Sequence, residues 1–252
     1  MTKQDNNTFV GQLHFHFSKL NSTNKFLQDF GDFNTDGKSF IVSADYQTNG
    51  AGQRGSFWES EPCENLLFSM FSFHQNLKID QTFAINKMVS VSILNTLVNL
   101  GIENVKIKWP NDILIGDEKV AGILIENSIQ GEKVKSLIIG IGLNVNQLKF
   151  KNYTRKCTSL KKVKGIEFNR FDILEKLKKS IETNFLKLKK DFTAFDREYL
   201  ENLYQFNVWK GYLIYYQRKN ACIKGVSFGG ELEVKIDSEE ILSLKNKEIV
   251  FI

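Results

Sequence analysis

The spacing of apolar residues predicts a succession of strands over the first part of the chain. Apolar residues recur at every second position, or in short runs, and both patterns are typical of half-buried or fully buried strands. We predict strands at residues 13–17, 40–46, 66–73, 105–109, 120–127 and 134–145. Residues 32–39 are rich in turn formers and separate the first two strands.

A helical period of apolar residues marks four further segments. Residues 21–23 offer polar N-caps for a first helix, and Gly31 offers its stop. The clearest helix spans residues 82–100, and Thr82 is its candidate cap. We predict two more helices, at residues 171–188 and 191–206.

The pattern changes beyond Trp209, where short strands and turns follow one another and a glycine pair stands at residues 229–230. This change of period predicts a small β module at the C-terminal end. We therefore divide the chain into a first domain at residues 1–206 and a second at residues 207–252.

Composition and charge narrow the class of protein. The 252 residues are 42% hydrophobic and 25% charged, which fits one sizeable globular domain with or without a small appendage. The net charge of +5 comes largely from residues 149–190, and solvated lysine faces on helices explain it better than nucleic-acid binding. Residues 1–12 are polar and no apolar run approaches a membrane span, so we expect a cytoplasmic protein without signal peptide, membrane or nucleic-acid partner.

The cysteines and histidines do not predict a metal site. Cys63, Cys157 and Cys222 are far apart and form no CxxC pair, which argues against a disulfide framework or structural zinc. His14 and His16 alternate on the first predicted strand, and we expect packed or surface histidines rather than metal ligands.

Residues 49–55 hold three glycines in seven positions and are predicted to be a loop. Alternating glycines let backbone N–H groups approach a bound anion closely. The segment has neither the Lys and Ser or Thr of a Walker motif nor the acidic residue of a dinucleotide fingerprint. Taken by itself, it fits a phosphate cradle and a surface hairpin equally well.

The pentapeptide LysTrpProAsnAsp at residues 108–112 is more specific. A predicted strand ends in Lys108, and Pro110 cannot extend the strand ladder. The lysine is thereby presented at a strand terminus beside a turn, where it can neutralise a carboxylate or phosphate oxygen. The alternative is a surface lysine that precedes a Trp-Pro turn.

Four motifs, taken in order, resemble those of biotin protein ligases. They are SerThrAsn at residues 22–24, the glycine loop preceded by AlaAspTyrGln, LysTrpProAsnAsp continued through LysValAlaGly to Glu126, and GlyIleGlyLeuAsn at residues 140–144. The C-terminal module is similar to the small SH3-like cap of that family. The resemblance covers essentially the whole chain.

The resemblance implies both a fold and an activity. The fold would be α/β, with a mixed, mainly antiparallel sheet and flanking helices as in the core of class II aminoacyl-tRNA synthetases, followed by a small SH3-like β-barrel. The first domain would bind biotin and ATP and form biotinyl-5′-AMP. The enzyme would then transfer biotin to one lysine of a biotin carboxyl-carrier domain of a biotin-dependent carboxylase.

The resemblance also implies roles for individual residues. Lys108 would contact the biotin carboxylate and the α-phosphate of ATP, and Asp112 would orient or deprotonate the acceptor amine. Mg²⁺ is expected on the phosphates, with no protein ligands identified. The residues expected to bind the substrates are Ser22, Thr23, Asn24, Gln47, Gly50, Ala51, Gly52, Gln53, Arg54, Trp58, Asn111, Gly122, Gly140, Gly142 and Asn144.

Purely structural interpretations of some of these residues stay open. Ser22 also fits a helix N-cap, Gly140 and Gly142 fit a tight turn at a strand end, and Trp58 and Trp109 both fit a core position.

The chain departs from the family pattern in two respects. Ala51, Gln53 and Ser56 stand where basic residues are common, which leaves Arg54 as the charged residue of the loop. We expect such a loop to hold the adenylate less tightly through charge-assisted hydrogen bonds. Ser22 also lies too early in the chain for the N-terminal helix-turn-helix that makes some family members repressors.

Two rival functions remain at this point. A lipoate protein ligase has the same core and a catalytic lysine, whereas LysTrpProAsnAsp and GlyIleGlyLeuAsn favour biotin. A non-enzymatic biotin-binding regulator is the rival from another class, and the presence of Lys108 argues against it. The sequence does not distinguish a monomer from a homodimer.

Overall fold

The computed structural model describes residues 13–31, 39–151, 156–237 and 239–252. The strands before residue 150 are β1 (Leu13–Phe17), β2 (Phe40–Ala44), β3 (Gly50–Ala51), β4 (Phe57–Trp58), β5 (Leu66–Lys78), β6 (Val105–Lys108), β7 (Asp112–Ile115), β8 (Glu118–Gln130) and β9 (Lys133–Leu143). Seven of them form one sheet in the order β1-β2-β5-β9-β8-β7-β6, while β3 and β4 pair as a short ribbon. Among the described strands of the large sheet, β1 and β2 pair in parallel and the other neighbours pair antiparallel, so the sheet is mixed and mainly antiparallel as predicted.

Helices cover both faces of the large sheet. They are α1 (Thr23–Gly31), α2 (Thr82–Asn99), α3 (Leu160–Lys164), α4 (Arg170–Leu188) and α5 (Asp196–Glu201). Helix α2 packs against β6, β7 and β8 on one side and against α4 and α5 on the other, and for this reason it is buried over most of its surface. Helix α1 packs against β2, β5 and β9.

The strand period of two separates the core into two layers. Ile41, Met70 and Ile139 face the helix pair α2 and α4 and belong to the main core. Val42 and Ile138 point the other way and pack beneath α1. Burial of each such side chain contributes roughly 1.5–3 kcal/mol, so both faces of the central strands are fixed by packing.

The C-terminal module is a five-stranded antiparallel sheet. Its strands are β10 (Trp209–Ile214), β11 (Gln217–Val226), β12 (Leu232–Ile236), β13 (Ile241–Leu244) and β14 (Ile249–Phe251), in the order β13-β12-β11-β10-β14. The predicted small β module is therefore confirmed. The boundary between residues 206 and 207 stays a prediction, and the buried side chains of the module continue the main core of the large sheet.

The segment after α5 and the pentapeptide 108–112 both tie the module to the large sheet. Tyr204 N donates to Ile107 O at 2.7 Å, and Ile107 N donates to Asn202 O at 2.9 Å. The indole Nε1 of Trp109 donates to Gly230 O at 2.9 Å. Trp109 is thus a core residue that also joins the two parts of the protein.

Several secondary-structure predictions are confirmed and others are wrong. All six predicted strands exist, as do the helices that begin at Thr23, Thr82 and Arg170. The helix predicted at residues 191–206 is reduced to α5, because Asp191 caps a turn at Thr193 and residues 202–204 bond to β6 instead. Strand β7 and helix α3 were not predicted, since each is short and follows turn-forming residues.

Two local expectations are corrected as well. Residues 49–55 are not simply a loop, because β3 and a 3₁₀ turn at Gln53–Gly55 lie within them. Thr82 does not cap α2, because its hydroxyl donates backward to Ile79 O at 2.6 Å and Gln81 occupies the cap position. Most of the predicted turn at residues 32–39 lies outside the described residues.

The histidines of β1 are held by hydrogen bonds. His14 Nε2 and His16 Nδ1 lie 2.8 and 2.9 Å from Ser43 Oγ. Burial, with the ammonium of Lys178 as the second cause, lowers the pKa of His14 and favours its neutral form.

In the part of the chain that the structure describes, no group of three or more histidine, cysteine or carboxylate side chains is placed to hold a metal. No helix there is long and apolar enough to cross a membrane.

Candidate active site

A row of four residues crosses neighbouring strands of the large sheet. Lys108 pairs with Asp112, Asp112 with Gly122, and Gly122 with Gly142. Residues in register on adjacent strands project from the same face of the sheet. Two charged side chains therefore stand beside two positions without side chains, and the missing side chains leave room for another group to lie directly on the main chain of the glycines.

The next row completes the floor of this space. Gly140 lies between Leu124 on β8 and Ser69 on β5. A Cβ atom at Gly140 would overlap Asn24 Oδ1, so the beginning of α1 can approach the sheet only where a glycine stands. The absence of a side chain at Gly140 thus brings a polar helix start directly onto the sheet.

The beginning of α1 forms a buried polar wall. Ser22, Thr23 and Asn24 are each at most 5% exposed. Gln47 Oε1 accepts hydrogen bonds from Thr23 N at 2.7 Å and from Thr23 Oγ1 at 3.1 Å. Ser69 Oγ lies 2.6 Å from Thr23 Oγ1 and 2.5 Å from Asn24 Oδ1. Ser69, which the sequence analysis did not single out, links two of the predicted binding residues.

Two further contacts fix this wall. Asn24 Nδ2 donates to Glu126 Oε2 at 2.7 Å, which ties α1 to β8. Lys25 N lies 3.5 Å from Ser22 Oγ, and Phe26 N donates to Ser22 O at 3.0 Å. Ser22 therefore caps the helix and lines the cavity at once, so the two interpretations of this residue are compatible.

The Trp58 indole lies over the paired glycines. A Cβ at Gly142 would overlap the indole ring, and one at Gly122 would come within 2.9 Å of it. The Trp58 Nε1 atom is buried and has no hydrogen-bond partner in the structure. An unsatisfied buried N–H costs about 1–3 kcal/mol, which a ligand acceptor would recover.

Lys119 is a site residue that the sequence analysis missed. Its Nζ lies 2.6 Å from Asp112 Oδ1 and 5.2 Å from the centroid of the Trp58 ring. It lies within the quoted motif, but its distance from Asp112 in the sequence gave no sign that the two side chains meet. The ion pair holds the Asp112 carboxylate at the edge of the cavity.

A second wall comes from the glycine loop and from the C-terminal module. Gly52 N donates to Ser56 O at 2.7 Å, which closes the loop on itself. Asn246 Nδ2 donates to Gln53 Oε1 at 3.3 Å and joins the loop to the turn before β14. Lys108 Nζ lies 4.3 Å from the ring centroid of Phe251 on β14.

These walls enclose one cavity of about 340 Å³. It brings together fourteen of the predicted site residues: Ser22, Thr23, Asn24, Gln47, Ala51, Gly52, Gln53, Trp58, Lys108, Asn111, Asp112, Gly122, Gly140 and Gly142. The lining residues from the module are Asn246, Lys247, Ile249, Val250 and Phe251, none of which was predicted. A small volume with amide, hydroxyl and ammonium groups fits a polar ligand that carries negative charge.

Two predicted residues, Gly50 and Asn144, are not among the described residues that line the cavity. Gly50 lies behind it, where a Cβ would overlap Trp58 O. Asn144 Nδ2 donates to Thr158 O at 3.0 Å and holds the chain that precedes α3. The backbone of Arg54 lies in the 3₁₀ turn.

The cavity lining offers few oxygen ligands for a metal ion. Among the described residues that line the cavity, Asp112 is the only carboxylate, and Lys119 is bonded to it. A divalent cation requires several oxygen ligands. These residues do not form a protein site for Mg²⁺, and such an ion would depend on the phosphates of a nucleotide for its ligands.

Comparisons with known proteins agree with this geometry. The sequence model of the Biotin/lipoate A/B protein ligase family matches residues 17–144, about half of the chain. The bifunctional ligase/repressor BirA of Bacillus spizizenii is 26% identical over 244 residues, which cover 95% of this chain and 71% of that protein. The BirA of Bacillus subtilis is 32% identical over 138 residues, and this match spans 42% of its length, or less than half of it.

A solved structure matches nearly the whole chain. The biotin protein ligase from Aquifex aeolicus, in complex with biotin and ATP, superposes with a TM-score of 0.76 at 24% sequence identity. The match covers 94% of this chain and 97% of that one. The predicted fold, a large mixed sheet with flanking helices and a small β module, is thereby confirmed.

Proposed function

Because this chain belongs to the biotin/lipoate A/B protein ligase family, we propose that it is a biotin protein ligase. It joins biotin to AMP and then passes the biotinyl group to a lysine of a biotin carboxyl-carrier domain. The observation that carries the proposal is the cavity in which the Lys108–Asp112–Gly122–Gly142 row meets the buried polar wall of residues 22–24. One end of this cavity suits a neutral polar ring, and the other suits negative charge.

The polar wall supports binding of the biotin ureido ring. That ring presents N–H donors and a carbonyl acceptor, and the hydroxyl groups of Ser22 and Thr23 with the amides of Asn24 and Gln47 offer both kinds of partner. The wall is already ordered by Ser69 and Glu126, so little conformational entropy is lost when the ring binds. The Trp58 indole over Gly142 gives an apolar surface for the rest of the bicyclic system.

The charged end supports adenylation. A carboxylate oxygen of biotin attacks the α-phosphorus of ATP, a P–O bond forms, and the bond to pyrophosphate breaks. Negative charge grows on the α-phosphate oxygens, and the Lys108 ammonium, which lines the cavity, would stabilise it together with backbone N–H groups of the glycine loop. Mg²⁺, when bound to the phosphates, neutralises charge on the leaving pyrophosphate.

Asp112 supports the second step. The acceptor amine must be neutral when it attacks the carbonyl carbon of the mixed anhydride, a step that forms an amide bond and releases AMP. The Asp112 carboxylate lies at the cavity edge and can take the proton or orient the amine. Its ion pair with Lys119 holds the carboxylate in place at that edge.

The polar wall also favours biotin over lipoate. The dithiolane ring of lipoate has no N–H or carbonyl group for the amides and hydroxyls of residues 22–24 and 47. A buried polar group that gives up water and gains no hydrogen bond from its ligand costs about 1–3 kcal/mol, so covering this wall with the dithiolane ring is less favourable than covering it with the ureido ring. A regulator that only binds biotin would not need the row of Lys108 and Asp112.

Measurement of pyrophosphate exchange with ATP distinguishes a biotin ligase from a lipoate ligase and from a regulator that only binds biotin. We expect exchange with biotin and little with lipoate, followed by a mass increase of one biotinyl group on a carrier domain. Exchange with lipoate alone would establish the rival ligase. Tight biotin binding without exchange would establish the regulator.

A further inference from the structure

We infer that Phe251 is a positioning residue for Lys108, so that the C-terminal module sets the reactive geometry of the lysine. The contact between the two side chains can be tested without any reaction, whereas its effect on catalysis rests on the proposed function. Phe251 stands on β14, far from Lys108 in sequence, and both side chains line the cavity.

Two aromatic rings lie near the Lys108 ammonium. Its Nζ is 4.3 Å from the Phe251 ring centroid and 5.9 Å from that of Tyr204. Both distances are within the range over which an aromatic face attracts a cation. Lys108 is only 6% exposed, and the attraction is stronger in such a desolvated place than at the surface.

The two rings are themselves fixed by other contacts. Phe251 packs edge-on against the buried Tyr212, with centroids 5.4 Å apart at 85°. The Tyr204 hydroxyl donates to Asp117 Oδ1 at 2.7 Å, and its backbone bonds to Ile107, the residue before the lysine. A displacement of β14 would therefore move the Phe251 ring relative to Lys108.

An aromatic face holds an ammonium in a way that suits this step. A ring attracts the cation without adding a negative charge, whereas a carboxylate partner, such as the one beside Lys119, partly cancels the charge. A cation–π contact can exist together with hydrogen bonds from the ammonium to oxygen acceptors. Phe251 thus orients Lys108 and keeps it suited to a carboxylate and a phosphate.

The contact is tested by NMR of the lysines after reductive ¹³C-methylation, with Lys108→Arg to assign the resonance. A lysine over a ring is shifted upfield by the ring current. We expect this shift in the wild type and in Phe251→Tyr, and its loss in Phe251→Leu. Phe228→Leu, the same change at an exposed phenylalanine of the module, is the matched control and should leave the shift intact. An unchanged shift in Phe251→Leu overturns the contact.

Pyrophosphate exchange tests the consequence in the unmethylated protein. Phe251→Leu should lower kcat about tenfold, leave biotin KM within about twofold, and be rescued by Phe251→Tyr. In single-turnover assays the same change should have no effect in a Lys108→Ala background, because its target is gone. Equal losses in both backgrounds mean a purely structural role and overturn the inference. If the wild type exchanges with lipoate or with neither acid, the proposed function fails, while the NMR result still decides the contact.

Discussion

The two walls of the cavity are built in different ways. The sheet wall, formed by the Lys108–Asp112–Gly122–Gly142 row and residues 22–24, is fixed by strand ladders and by buried hydrogen bonds of 2.5–3.1 Å. The loop wall, formed by residues 51–56 and 246–251, is joined across its two segments by the longer 3.3 Å bond between Asn246 and Gln53. A preformed wall suits recognition of a ring, and a loosely joined wall suits admission and release of substrates.

The largest effect on activity is expected when the lysine charge is removed from the sheet wall. Lys108→Ala should lower pyrophosphate exchange by about 10²–10³, because one preorganised charge at the developing oxyanion is lost. The fold should persist, since Lys108 ends a strand and faces a cavity. Lys106→Ala, on the same face of β6, is the control. Near-normal exchange in Lys108→Ala would rule out its proposed role.

The next test is to fill the floor of the sheet wall. Gly142→Ala places a methyl group where the Trp58 indole lies, so the ring must shift. We expect a loss of roughly 1–3 kcal/mol in the free energy of unfolding from overpacking and at least a roughly tenfold weaker biotin affinity. Urea unfolding and calorimetric titration measure the two effects.

Gly211→Ala is the matched control for Gly142→Ala. A Cβ at Gly211 meets its nearest atom at 3.6 Å, an ordinary contact. If both variants bind biotin like the wild type, the floor is not part of the ligand site.

A smaller effect is expected from an added charge on the loop wall. Gln53→Arg should slow release of preloaded labelled biotinyl-AMP by about threefold to tenfold, if the guanidinium reaches the phosphate through charge-assisted bonds. Gln53→Met, which removes the amide without adding charge, separates this gain from the loss of the Asn246 contact. An unchanged or faster release in Gln53→Arg means that backbone donors alone hold the adenylate.

The smallest effect is expected when the hydrogen bond between Asn246 of the module and Gln53 of the loop is removed. Asn246→Ala should raise hydrogen exchange of the amides at residues 50–55 by up to about fivefold in the free protein, since one partly exposed hydrogen bond contributes about 1 kcal/mol. Biotin and ATP together should slow exchange there in the wild type. Asn220→Ala removes a similar bond to Asp237 elsewhere in the module and should leave the loop unchanged. Exchange that is insensitive to substrates would show that the loop wall does not order on binding.

The sequence predicted the sheet wall better than the loop wall. Lys108, Asp112 and the glycines at 122, 140 and 142 were found because they lie in short contiguous motifs. The cross-strand pairing of Lys108, Asp112 and Gly122 was not predicted, because β7 has only four residues and follows a turn. Ser69 did leave a signal, because it stands with Ser72 as a hydroxyl residue in the otherwise apolar run at residues 66–73, and such a buried polar residue needs a partner.

The contributions from the module could not have been predicted in this way. Asn246 and Phe251 reach the cavity only because β14 pairs with β10 and Trp109 bonds to Gly230. Contacts across so many residues depend on how separate elements pack, and a local period carries no information about that packing. The same reason explains the failure at residues 191–206, where bonds to β6 replace the end of the predicted helix.

The paired glycines beneath Trp58 have a consequence for how this protein can change over evolutionary time. Gly122 and Gly142 face each other on adjacent strands, so this part of the floor is main chain alone. Even the smallest added side chain at either position meets the indole, so such a change also moves the ring. A substitution at Gly122 or Gly142 is therefore expected to be less costly after Trp58 has been replaced by a smaller residue than before. The geometry thus favours one order of these two steps.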